Sequence, residues 1–225
     1  MAIDFKGSNA VVLAPPPPER QFDPAKFSQI WMIQQLHVDP NDFVDPGAAV
    51  HAPFLFNQAT TQFNLLVVPE RIQLMFAPHQ EEGGTVKRVM LESLLQVTRI
   101  PYSAAGLNFN WLIHANKYPN SVISRKLFFA EGNPFFREFD TPNACFGAYA
   151  SKDYLGTRLR VDAKPLLVEG SSEVDPRGVL FNFNFHKELV EENRLDPIRE
   201  LLDLWDQARA EASRIIEDIN AGCGL

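Results

Sequence analysis

Two stretches of this chain alternate apolar and polar residues in the same way, which predicts two strands of one sheet. The first is residues 106–114 (GLNFNWLIH) and the second is residues 178–186 (GVLFNFNFH). Successive side chains of a strand point to opposite faces, so each stretch would place apolar residues on one face and amides with an imidazole on the other. We expect both to be central strands of an antiparallel sheet with helices on one side. The similarity is too short to establish an internal duplication.

The polar positions of these two stretches are the first candidate for a binding surface. Amide and imidazole groups can hydrogen-bond a polar ligand or the backbone of a protein partner. If the two strands are neighbours, their histidines could converge. The alternative is the solvated face of an ordinary one-sided sheet. The candidate residues are Asn108, Asn110, His114, Asn182, Asn184 and His186.

The rest of the pattern predicts a sheet of about seven strands with two or three helices over one face. Helical spacing predicts a helix over residues 85–96 with Thr85 as its N-cap. Residues 27–36 fit both a helix and a strand, and we favour the helix, which would start after Asp23. The further predicted strands are 10–13 at an edge, 50–56, 63–68, 71–77, 123–130, 135–139, 144–151 and 157–163.

The longest predicted element is a C-terminal helix over residues 197–220, capped by Asp196. Its apolar residues recur every three or four positions over about three heptads. We expect this stripe to pack on the sheet. The alternative is a seam between subunits, since tryptophan is enriched at binding hot spots. The oligomer or partner contacts would then be Leu201, Trp205 and Ile215.

Composition limits the class of protein further. We expect a single α+β domain over residues 1–225, with an extended, proline-rich segment at 1–22. A net charge of −7 disfavours general nucleic-acid binding, because phosphate contacts need clustered Lys and Arg. Two cysteines are too few for a disulfide framework and favour a reducing compartment. The chain begins without a signal-peptide pattern and has no apolar run near the roughly 20 residues of a membrane span. We therefore expect a cytoplasmic protein.

No catalytic or metal-binding motif can be identified along the chain. The five histidines lack the spacing of helix-borne zinc ligands, and the pair Gly83-Gly84 lacks the rest of a phosphate-binding loop. We therefore predict no metal and no cofactor. Arg158 and Arg160, together with Arg125 and Lys126, are candidates for an anion-binding patch. The alternative is that these charges protect an exposed sheet against aggregation.

Two functional hypotheses follow from these observations. The first is a non-enzymatic binding or assembly module that acts through its polar sheet face or its C-terminal helix, as a homo-oligomer or as a subunit of a larger complex. The second is a small-molecule-binding protein or enzyme with a pocket between the aromatic sheet and the helices, where His114, His186 and the asparagines orient the ligand. The missing motifs favour the first, although catalytic groups also assemble from distant positions.

Overall fold

The computed structural model describes residues 1–19, 21–44, 50–78, 80, 83–97, 100–114, 118–166, 178–189 and 195–223. Its strands are β1 (Ala2–Leu13), β2 (Val50–Ala52), β3 (Leu55–Ala59), β4 (Asn64–Val68), β5 (Arg71–Phe76), β6 (Ala104–His114), β7 (Ala148–Tyr154), β8 (Thr157–Pro165) and β9 (Gly178–Glu188). Its α-helices are α1 (Gln29–Gln35), α2 (Gly83–Gln96), α3 (Asn120–Phe128), α4 (Pro134–Glu138), α5 (Asp196–Asp203) and α6 (Trp205–Cys223). The strands form one nine-stranded antiparallel sheet in the order β2-β3-β4-β5-β1-β6-β9-β8-β7. The α+β class is confirmed, with two more strands than predicted.

The hydrophobic core lies between one face of this sheet and the helices. Alternate residues of β6 and β9 point into it, and Phe109, Phe183 and Phe185 are fully buried. The Trp205 ring, at the start of α6, lies 4.9 Å from the Phe109 ring, centroid to centroid. Burying one such side chain contributes roughly 1.5–3 kcal/mol. The aromatic content of the strands therefore explains why the helices cover this face.

The predicted strands at 106–114 and 178–186 are neighbours. They form β6 and β9, which pair along their whole length with Asn110 opposite Asn182. The predicted edge strand at 10–13 is wrong in extent and in place, because β1 begins at Ala2 and lies between β5 and β6. A bulge between Phe5 and Gly7 shifts the pairing of β1 with β6. Such a bulge breaks the alternation of apolar residues by which a strand is recognised.

A similar order of elements occurs twice along the chain, with five strands in the first half and four in the second. In the first half, β1 is followed by the meander β2–β5 and then by α2; in the second half, β6 is followed by β7–β9 and then by α5 and α6. The last strand of each half pairs with the first strand of that half, and β1 pairs with β6 at the centre. The two similar sequences, β6 and β9, thus belong to the same half. Each of these strands has one face in the core and one face that points away from the helices, and this shared arrangement explains why their sequences are similar.

Two of the predicted strands are helices instead. Residues 123–130 fall largely in α3, and residues 135–139 fall largely in α4. The Asn133 side chain accepts a hydrogen bond from the Phe135 amide, and Pro134 occupies the first turn, which is a typical helix start. In α3, Ile123 is buried and the Phe128 ring contacts Phe181. Short apolar runs do not distinguish strands from buried helices, and here the helix signals decide.

The predicted strands 63–68 and 71–77 form a first hairpin, β4–β5, and the predicted strands 144–151 and 157–163 form a second, β7–β8, with shifted bounds. Leu155 and Gly156 form the second turn, and both have positive φ angles, as a two-residue hairpin loop requires. The region of helix 27–36 is confirmed as α1, but Ser28 is its N-cap, while Asp23 caps a preceding 3-10 turn. Thr85 lies inside α2, which begins two residues earlier than predicted.

The predicted C-terminal helix is present as two consecutive helices, α5 and α6, separated at Leu204. Leu201 and Trp205 are buried against the sheet of their own chain. The apolar stripe therefore packs as expected, and these two side chains are not surface residues. Ile215 is half-buried and Ile216 is buried in its place, because a straight helix of 3.6 residues per turn drifts away from a heptad repeat.

Candidate functional site

The predicted polar candidates all lie on the face of the sheet that points away from the helices, which we call the open face. On β6 and β9 these side chains are half-buried, whereas the residues between them are buried in the core. The sequence-based assignment of the two faces is thus confirmed for both strands. The open-face candidates are Asn108, Asn110, His114, Asn182, Asn184 and His186.

Three asparagines on adjacent strands form a hydrogen-bonded amide row across the centre of the open face. Asn9 of β1 lies opposite Asn108 of β6, which lies opposite Asn184 of β9. Asn108 Nδ2 donates to Asn9 Oδ1 over 2.8 Å, and Asn184 Nδ2 donates to Asn108 Oδ1 over 2.6 Å. Asn9 belongs to this row but is not among the predicted candidates, because the alternating pattern does not reveal the full extent of β1. The row holds three polar side chains in fixed orientations on a surface.

Gly106 makes room for this amide row. A Cβ atom at this position would lie 3.1 Å from Asn184 Nδ2 and 3.6 Å from Val11 Cγ1. The first of these distances is shorter than an ordinary van der Waals contact, so a side chain here would displace the Asn184 amide. The glycine that begins the stretch 106–114 thus has a local structural role next to the candidate surface.

Replacing Asn108 with alanine is expected to lower the free energy of unfolding by about 1–3 kcal/mol, because it removes two hydrogen bonds of roughly 0.5–1.5 kcal/mol each. Chemical denaturation of the purified protein measures this loss. The matched control is Asn182→Ala, on the same face but outside the row, for which we expect a smaller change. Equal losses for both variants would show that the amide row has no special stability.

The two candidate histidines do not converge, although their strands are neighbours. His186 lies opposite Gly106, and His114 lies opposite Gly178 at the other end of the pair. Eight residues of β6 separate these ends, which is about 27 Å at 3.4 Å per residue. His114 Nε2 is instead 3.1 Å from Asp4 Oδ2. The hypothesis of a shared site for both histidines is therefore wrong, because antiparallel pairing sends two similar strands in opposite directions.

The amide row leads to a cationic residue on the next strand. Arg160 of β8 is the cross-strand neighbour of Asn184 and is half-buried. His186 lies on the same face of β9, two residues after Asn184. We call Arg160, Asn184 and His186 the polar anchor. Of the predicted anion patch, Arg125 lies instead on α3, where its guanidinium contacts Asp140 and the Phe129 ring.

The positive charge of Arg160 influences the ionisation of His186. Burial is the main cause that lowers the pKa of His186, and the positive charge of Arg160 lowers it further. Both effects disfavour the imidazolium form, so the ring is neutral at pH 7. Arg160→Gln is expected to raise the pKa of His186, which an NMR titration of its ring protons measures. An unchanged or lower pKa would contradict this electrostatic coupling.

A second feature is a cleft of about 290 Å³ between α6 and the β7–β8 edge of the sheet. Ala150, Leu159, Val161 and Ile215 form most of its apolar lining. It lies on the helix side of the sheet. The open-face histidines and asparagines therefore cannot line it, which overturns their predicted role in a pocket between sheet and helices.

An ion-pair cluster includes Lys152, which is one of the residues that line this cleft. Arg214 donates two hydrogen bonds of 2.9 Å to the Glu211 carboxylate, and Lys152 of β7 approaches the same carboxylate at 2.7 Å. Arg214 and then Lys152 are the main causes that lower the pKa of Glu211 from 4.5 to about 2. The Glu211 side chain is only 12% exposed, so this cluster fastens the β7 edge to α6.

Glu211→Gln is expected to lower the free energy of unfolding by about 1–2 kcal/mol at pH 7, since Lys152 and Arg214 are largely solvated and their contribution is reduced accordingly. A lowered carboxyl pKa stabilises the folded state above pH 4.5, and this stabilisation disappears as the pH falls towards 2. Urea denaturation at several pH values should show the two proteins converging in acid. Glu217→Gln, on the same helix, is the control, and a pH-independent difference would contradict the assignment.

Within the described ranges, no group of three or more His, Cys, Asp or Glu side chains is arranged to hold a metal ion. Cys145, which the pattern placed in a strand, is exposed just before β7. None of the described helices has the length and apolar character needed to cross a membrane. Comparison with protein-family models, with curated proteins and with solved structures finds no match for this chain.

Proposed function

We propose that this protein is a cytoplasmic, non-enzymatic binding or assembly module whose open face binds an acidic segment of a protein partner. The observation that carries this proposal is the polar anchor at the end of the amide row. It combines a half-buried guanidinium, an amide already held by a hydrogen bond, and a neutral imidazole on two adjacent strands. The low cysteine content supports the cytoplasmic assignment.

The charges around the anchor favour a carboxylate as the bound group. Arg158 is paired with Asp153 at 2.9 Å, and Lys164 is paired with Asp162 at 2.5 Å. Arg160 lies between these two pairs on β8, and its charge acts on His186. A guanidinium can bind a carboxylate through two parallel hydrogen bonds, which are stronger than neutral ones. Neither of these two pairs of described residues includes Arg160, so a partner carboxylate would compensate its charge.

The shape of the surface favours a macromolecular partner. Small-molecule sites are concave and bury most of the ligand. Two clefts among the described residues lie away from the open-face candidates, one against α6 and the other around Pro24, Phe27 and Leu55. The asparagines and the anchor instead follow one line across adjacent strands. An extended polar segment can contact such a line at several points.

Charge reversal at the anchor tests this proposal. Arg160→Glu should abolish retention of the protein partner in affinity capture, and wild-type binding should weaken as salt increases. Arg199→Glu makes the same charge change on the helix side, where Arg199 is paired with Asp196, and should leave binding intact. Circular dichroism confirms that both variants are folded. Retention of the same partner by Arg160→Glu would reject the open face as the binding surface.

The second hypothesis, a small-molecule-binding protein or an enzyme, now rests on the cleft against α6. Its volume of about 290 Å³ and its apolar lining suit a small apolar ligand. Ile215→Trp would fill this cleft without touching the open face. If a bound small molecule is lost in Ile215→Trp but kept in Arg160→Glu, this second function replaces the first.

A further inference from the structure

The edge strand β7 offers an unpaired backbone. In the described part of the chain it pairs with β8 alone, at the end of the sheet, and six of its seven residues are exposed. In a two-residue hairpin, the two residues that flank the turn are hydrogen-bonded to each other, and here these are Tyr154 and Thr157. Every second residue of β7, counted from Tyr154, therefore bonds to β8, and the residues between them point their backbone groups away from β8. The N–H and C=O groups of Tyr149, Ser151 and Asp153 therefore face the free edge.

Natural edge strands often carry an inward-pointing lysine that discourages pairing with another chain. β7 has such a residue, but the ammonium group of Lys152 is turned onto Glu211 at 2.7 Å. The other residues on this face of β7 include Ala148 and Ala150, whose side chains are small. The edge therefore has no free charge on its helix side to repel a second strand.

We propose that two copies of this chain associate through antiparallel pairing of their β7 strands, with the two-fold axis at Ser151. This register pairs all seven residues of each strand, because Ala148 then lies opposite Tyr154 of the second copy. It places Lys152 opposite Ala150 and Asp153 opposite Tyr149. A two-fold axis at Lys152 would place two lysines opposite each other, and an axis at Asp153 would place two aspartates opposite each other. Like charges in such positions destabilise a strand pair.

The ends of the strand also complement each other in this register. Leu155, at the hairpin turn, is 52% exposed, and Phe135 and Phe139 of the α4 region are 64% and 54% exposed. Phe146, which precedes β7, packs against Phe136 in the same aromatic cluster. The two-fold axis brings Leu155 of one copy to this end of the other copy. In an isologous dimer, Leu155 of each copy thus lies opposite Gly147 of the other, next to Phe146 of this aromatic cluster.

Mass measurement tests the dimer first. Light scattering coupled to size exclusion should give twice the 25.4 kDa chain mass for the wild type. Ser151→Pro should give a monomer, because it removes an outward-facing N–H at the axis without removing a backbone hydrogen bond to β8. The hydrogen bond from Arg158 to the Ser151 hydroxyl is lost both in this variant and in its alanine control. Ser151→Ala is the control and should remain dimeric. A monomeric wild type, or a dimer that survives Ser151→Pro, would overturn the proposal.

Disulfide trapping fixes the register even where the proline variant fails to fold. Directly opposite residues of a hydrogen-bonded pair have Cα atoms about 5.5 Å apart, within the range of a disulfide. In a background with Cys145→Ser and Cys223→Ser, Ser151→Cys should therefore form a covalent dimer under mild oxidation. Asp153→Cys should not, because its two copies would lie about 14 Å apart along the strands. Equal cross-linking of both variants would contradict the two-fold at Ser151.

Discussion

Trp205→Ala is expected to lower the free energy of unfolding by about 3–5 kcal/mol, the range for removal of a large buried aromatic side chain. Trp205 is 3% exposed, and its ring lies 4.9 Å from the Phe109 ring and 5.9 Å from the Phe76 ring. These contacts fasten the start of α6 to strands of both halves of the sheet. Chemical denaturation followed by far-UV circular dichroism measures the loss.

Ile215→Ala is the matched control on the same helix. Ile215 is half-buried beside the cleft, so its replacement should cost less than that of Trp205. Neither change should alter the dimer mass under conditions where the variant is folded. A folded Trp205→Ala variant that keeps its stability but loses its oligomeric state would instead make α6 the subunit seam, against the packing described above.

Gly7→Ala is the second change for which we expect a large effect, a loss of about 2–5 kcal/mol in the free energy of unfolding. Gly7 has a φ angle of +126°, and a Cβ atom there would lie 2.6 Å from the Phe76 carbonyl oxygen. Backbone strain of roughly 1–3 kcal/mol adds to a steric clash of similar size. Because β1 lies between β5 and β6, movement of this backbone disturbs the centre of the sheet.

Gly132→Ala separates these two causes. Gly132 also has a positive φ angle, +87°, but a Cβ atom there would have no atom of the described residues within 4 Å beyond its chain neighbours. We therefore expect only the cost of strain, at an exposed turn. Thermal or urea denaturation of both variants gives the comparison, and equal losses would show that the contact with Phe76 is unimportant.

The centre of the second half of the sheet could be predicted well from the sequence. Strict alternation in β6 and β9 reveals the strands, their two faces and the apolar side that helices must cover. It does not reveal β1 as their neighbour, because the bulge at Phe5–Gly7 interrupts its alternation. It also does not separate short helices from strands at α3 and α4. There, Pro134 and the cap at Asn133 outweigh the β propensity of the phenylalanines.

The candidate surface could be predicted in part for the same reasons. Asn108 and Asn184 can be identified from their strands, and their hydrogen bond follows from the antiparallel register. The contribution of Asn9 and the position of Arg160 beside Asn184 depend on strand order, which local patterns do not encode. The separation of the two histidines depends on strand direction. Sequence similarity between two strands carries no information on that direction.

The most direct test of the proposed function is native mass spectrometry of the untagged wild type and of Arg160→Glu, each purified under non-denaturing conditions from the cells that produce it. We predict that the wild type carries a protein partner and that Arg160→Glu, although folded, does not. The partner should contain an acidic segment. A partner that remains bound to Arg160→Glu, or a wild type whose extra mass is a small molecule alone, would contradict an open face that binds proteins through Arg160.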